Sequence, residues 1–122
     1  MMRHAGLKRD TVRKLLISVA ALIFVVMVTV TIHSSLEMSL SDAWGDYKAN
    51  PWAIATLYDA YSGFTLYWLW VAFRERNWGA RTLWFILIMA LGNIATSAYL
   101  LFQLLRLKED EPLENVLLRR RA

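Results

Sequence analysis

The stretch that decides the fold is Trp52-Ala53-Ile54-Ala55-Thr56-Leu57-Tyr58-Asp59-Ala60-Tyr61-Ser62-Gly63-Phe64-Thr65-Leu66-Tyr67-Trp68-Leu69-Trp70-Val71-Ala72-Phe73. It is uncharged except at Asp59, and as a helix it is long enough to cross a bilayer. Placing a charged carboxylate at the bilayer centre costs about 2.5–3.5 kcal/mol on insertion scales, so such a residue marks function by default.

Two further apolar blocks flank this one, at 15–32 and 83–105. Blocks of about 18 to 23 residues reach roughly 27–35 Å as helices, which matches a hydrocarbon core of about 30 Å. A hydrophobic content of 57% and a mean hydropathy of +0.35 are too high for an ordinary soluble domain. The pattern predicts an all-α integral membrane protein. It consists of one membrane domain over 1–122, with three transmembrane helices at about 15–32, 52–73 and 83–105 and a tail over 106–122. The short linker 74–82 makes the second and third helices an antiparallel hairpin, with Gly79 as its turn residue. Asn50 before Pro51 is a start signal for the second span. In the tail, acids and Pro112 precede the arginines, and Leu113, Val116 and Leu117 share a face, which predicts a short interfacial helix.

The chain has no cysteine, which removes disulfides, Cys-ligated zinc, iron–sulfur clusters and thiol catalysis. Its net charge of +4 comes from basic residues beside apolar blocks, where they set topology and meet headgroups, so no nucleic-acid partner is expected. The first block follows a basic segment, as in a signal peptide, but its apolar run is long and no small-x-small cleavage site follows. A retained anchor is the better reading. Lys and Arg number five before the first span, one in the first loop (Lys48), three in the second (Arg74, Arg76, Arg81) and five in the tail. The first three groups place the N-terminus and second loop in the cytoplasm. Three spans then carry the C-terminus outside, where Arg106, Lys108, Arg119, Arg120 and Arg121 break the rule. Trp44, Tyr47, Trp52, Tyr99 and Phe102 are assigned to the outer interface, and Trp68, Trp70, Phe73, Trp78 and Trp84 to the inner one.

On a helix Asp59 shares a face with Ala55, Thr56, Ser62, Gly63 and Leu66. Ala55 and Gly63, with Gly92 on the third span, are small enough for close helix approach, and the polar side chains can hydrogen-bond across such a seam. Counting back from the second loop puts Asp59 level with Gly92, Asn93, Thr96 and Ser97, so Asp59 is expected to meet Asn93, Thr96 or Ser97. No Lys, Arg or His lies within any span. Two roles compete: a neutral acid that locks a helix pair, and an acid that exchanges protons or contacts a cation or polar headgroup. His33, Glu37, Asp42 and Asp46 read as a solvated acidic segment rather than a metal site. Neither a metal nor a cofactor is expected. Nothing resembles a nucleophile–base pair, a phosphate loop or an HExxH site, so an enzyme is not expected.

The segments 50–59, 70–75 and 91–95 resemble a group of small bacterial membrane proteins of unknown function, similar in turn to an uncharacterised plant membrane domain. The resemblance covers roughly the second half of the chain and implies a compact module in a bacterial inner membrane, with no reaction attached. The expected partners are the lipid bilayer and other membrane helices, in a homo-oligomer or a larger complex. The leading functional reading is a non-enzymatic accessory or assembly subunit acting through helix–helix contacts. The alternatives are an oligomeric transporter or channel component using Asp59, and a binder of a lipid, quinone or pigment.

Overall fold

The computed structural model describes the backbone of residues 2–108 and 111–118, and side chains from Asp10 onward. Among the described residues the protein is all-helical: α1 Met2–Glu37, α2 Leu40–Ala49, α3 Pro51–Arg74, α4 Trp78–Leu91 and α5 Asn93–Arg106, then one 3₁₀ turn, Leu113–Val116. One helical stretch, Asp10–Glu37, is both long and apolar enough to cross a membrane. Although α3 has 24 residues, Asp59 and its tyrosines and tryptophans lower its hydropathy.

The side chains of Asn50 and Asn77 start helices. The Asn50 Oδ1 accepts from the Trp52 and Ala53 N–H groups at 3.0 and 3.3 Å, as its position before Pro51 predicts. The Asn77 Oδ1 accepts from the Gly79 N–H at 2.7 Å, so Gly79 lies in the first turn of α4. The turn is Glu75-Arg76-Asn77, shorter than the linker expected from sequence. The first loop is also mostly helical. No breaker follows residue 32, so α1 continues to Glu37, and the Ser39 hydroxyl caps α2 by accepting from the Asp42 N–H at 3.2 Å.

The largest departure from the sequence reading is the expected third span. Residues 83–105 do not form one helix, because the chain breaks at Gly92, with φ 58° and ψ −126°. Glycine alone enters that region without strain. Beyond the break the chain turns back on itself. The rings of Trp84 and Tyr99 stack edge to face with centroids 4.8 Å apart, and Ile88 and Ala95 share one buried core with Val71. In an unbroken helix, residues 84 and 99 would stand about 22 Å apart. The expected single helix over 83–105 is therefore corrected: α4 and α5 are two 14-residue arms of a hairpin.

Both arms pack on α3. The Tyr61 hydroxyl donates to the Met89 carbonyl at 2.9 Å, and Trp68 Nε1 donates to the Arg81 carbonyl at 2.9 Å, so α4 runs antiparallel to α3. The Tyr67 hydroxyl donates to the Thr96 carbonyl at 2.7 Å, and α5 runs parallel to α3. In turn α1 lies antiparallel along α5, with Leu16 and Ile17 against the cluster of Leu104, Leu107 and Val116. Ala20, 1% exposed, is the one buried residue among those described in α1. Its small side chain allows close approach.

The early part of α1, the end of α3, the start of α4, the end of α5 and the 3₁₀ turn consequently meet at one end of the molecule. The expectation that the tail leaves from the end opposite the N-terminus is corrected by this reversal. Tyr99, expected at the outer interface, is fully buried at the basic end, edge to face with Tyr67, Trp70 and Trp84.

Candidate functional site

Two polar assemblies stand out, one buried and one open. The buried one forms where α3 ends. Arg74 is 4% exposed although it follows directly on an apolar run. Its Nη1 donates to Gln103 Oε1 at 2.5 Å, its Nε to the Val116 carbonyl, and its Nη2 to the Asn115 carbonyl at 3.3 Å. A planar guanidinium can serve acceptors in several directions at once, which a lysine ammonium does poorly. Beside it Glu75, also buried, accepts from the Tyr99 hydroxyl at 2.8 Å, and its backbone carbonyl accepts from Arg81 Nε at 2.9 Å. On the far side of α5, Arg13 Nη2 donates to the Leu104 and Leu107 carbonyls at 3.0 and 2.8 Å, which satisfies the end of that helix. Two arginines thus fasten α5 and the 3₁₀ turn to the bundle.

Gln103 and the role of Arg74 were missed in the sequence, where Arg74 reads as a loop cation. The signal was available, because Gln103 is the lone side-chain amide within the apolar run 94–105 and Arg74 ends the run on α3. Of the tail helix expected from sequence, Val116 is buried and Leu113 packs on the same cluster, while Leu117 is 60% exposed. Arg119, Arg120 and Arg121, the basic end of that expected helix, lie outside the described residues.

The open assembly is the face around Asp59. Ala55, Thr56, Asp59, Ser62, Gly63 and Leu66 are all exposed. A Cβ added at Gly63 would meet nothing within 4 Å. The Thr56 hydroxyl donates back to the Trp52 carbonyl at 2.9 Å, leaving Asp59 as the acid of a smooth, unfilled surface. The structure does not join Asp59 to Asn93, Thr96 or Ser97. The reversal at Gly92 turns that cluster inward. The Thr96 hydroxyl donates to Asn93 Oδ1 at 3.1 Å and that of Ser97 to the Asn93 carbonyl at 2.6 Å, inside the first turn of α5. Thr96 and Ser97 are buried, whereas Asn93 is exposed at the hairpin tip. At Gly92 an added Cβ would lie 2.9 Å from Phe64 Cζ.

Among the described residues this geometry defines an all-helical protein with a broken-helix hairpin, a clasped basic end and one helix long and apolar enough to cross a membrane. The chain belongs to the family described as "Protein of unknown function (DUF1475)", which matches residues 7–122. The match takes in α1 and the tail, where the sequence reading found no signature. No curated protein and no solved structure matches the chain.

Proposed function

We propose that the protein is a multi-pass integral membrane protein, non-enzymatic, that serves as an accessory or assembly subunit by docking a partner's membrane helix on the open face of α3. The observation that carries this is Asp59, exposed between Ala55 and Gly63. Several exposed apolar side chains support the membrane setting: Val25 and Ile32 on α1, and Trp52, Leu66 and Phe73 on α3, are all more than half exposed. A soluble monomer rarely presents apolar surface on that scale. At 24 residues α3 extends about 36 Å, enough to cross, and Asp59 lies about 12 Å from its start.

A carboxyl at that depth must find a donor. The blocks 15–32 and 52–73 hold no Lys, Arg or His, so a second copy would set carboxyl against carboxyl. That favours a helix of a different polypeptide over the oligomeric transport reading. Small residues at 55 and 63 let the partner's backbone come close, and Asp59, Thr56 and Ser62 supply the polar contacts. The test is native mass spectrometry of the protein gently extracted from its own membrane. A hetero-complex, lost in Gly63→Leu and kept in Ile86→Ala, is expected. Recovery of the 14.1 kDa monomer alone, or of a homo-oligomer, contradicts it.

A further inference from the structure

We infer that the α4–α5 hairpin is re-entrant: it enters the membrane from the side that holds both termini, turns at Gly92 inside it and leaves by the same side, so that α1 and α3 are the crossings. The inference rests on the membrane reading above.

Arm length is the first argument. Each arm has 14 residues and reaches about 21 Å, short of a hydrocarbon core of about 30 Å, so neither crosses alone. The rings of Trp84 and Tyr99, stacked 4.8 Å apart, exclude their joining into one crossing helix.

Chemistry at the tip is the second. Non-helical backbone at membrane depth is tolerated only where protein covers it and its polar groups are satisfied. The Gly92 N–H donates to the Ile88 carbonyl at 2.8 Å, and the Gly92 carbonyl accepts from the Ala95 and Thr96 N–H groups at 3.0 and 3.1 Å. The Phe64 ring packs against Gly92, where an added Cβ would lie 2.9 Å from its Cζ.

The third argument is charge. The stretches 1–14, 74–81 and 106–122 hold thirteen of the fourteen Lys and Arg and six of the ten Asp and Glu, a net charge of +7. The remainder, with Lys48 against Glu37, Asp42, Asp46 and Asp59, carries −3. With a third crossing the tail's five cations would face away from the other eight. The re-entrant hairpin gathers all thirteen on one side, which the positive-inside rule makes cytoplasmic. At that end Arg81 lies over the Trp78 ring and Arg106 over the Phe102 ring, cations and aromatics paired where anionic headgroups would meet them.

Because the chain has no cysteine, one introduced thiol reports one position. Lys48→Cys, Trp78→Cys and Leu118→Cys replace exposed side chains near the α2 end, at the first residue of α4 and in the tail. Each is labelled with a membrane-impermeant maleimide, in intact cells and in inverted membranes. Labelling of positions 78 and 118 from the cytoplasmic side and of 48 from the opposite side is the expected result. If 118 reacts on the same side as 48, a third crossing exists and the inference falls while the membrane reading stands. If all three react on one side, α3 does not cross and both readings fall.

Discussion

Gly92 carries more of this fold than any other single residue. Its backbone lies outside the regions open to other residues, and its missing side chain leaves room for Phe64. Gly92→Ala is expected to destabilise the protein by about 1–3 kcal/mol through strain alone, with the Phe64 clash in addition. Denaturant unfolding in detergent measures this. Adding Phe64→Leu should recover the steric part and leave the strain. Arg74 comes next. Arg74→Met leaves Gln103 and two tail carbonyls without their donor, at a cost of about 3 kcal/mol for a buried charged hydrogen-bond set. Hydrogen exchange over 111–118 should rise sharply in Arg74→Met and less in Arg74→Lys. Unchanged protection would show that the clasp does not hold the tail. Asp59 is the opposite case. It is exposed, and among the described residues nothing pairs with it, so Asp59→Asn and Asp59→Leu should leave monomer stability within about 0.5 kcal/mol. On the proposed docking role their effect falls on association, where Asn keeps a hydrogen-bonding group and Leu does not.

At the level of elements, the helices were legible wherever local chemistry set them. Asn50-Pro51 marks the start of α3, and Asn50→Ala is expected to cost about 1 kcal/mol, read as faster exchange at the Trp52 and Ala53 amides. The apolar blocks located α1, α3 and the residues of the hairpin. Hydropathy could not show that the third block folds back, because Leu83 to Leu105 is equally apolar whether straight or reversed, and a lone glycine in an apolar run is compatible with either. Deciding between them needed Phe64, 28 positions earlier, packed on Gly92. The same long-range dependence hid the Arg74 clasp, since its acceptors at Gln103, Asn115 and Val116 come near only after the reversal. Pairing Asp59 with Asn93, Thr96 or Ser97 by counting residues assumed a straight helix and fixed depth alone, whereas Asp59 stands on the exposed face of α3. The open face itself was readable, because helical periodicity alone puts Ala55, Asp59 and Gly63 together.

For the molecule as a whole, one reversal accounts for the burial of Tyr99, the clasped tail and the gathering of positive charge at one end. In sequence the tail cations break the charge rule because the block 83–105 is read as one straight helix. With the chain turned at Gly92, Arg106 and Lys108 join Arg13, Lys14 and the α3–α4 cations, and the other end keeps the acidic α2 segment and the open face of Asp59. An electron paramagnetic resonance distance between spin labels at Lys14→Cys and Lys108→Cys, two exposed positions, tests this directly. The reversal predicts a short separation, about two helix diameters (~20 Å) or less. A separation above ~35 Å, the length of a continuous helix over 83–105, would contradict it.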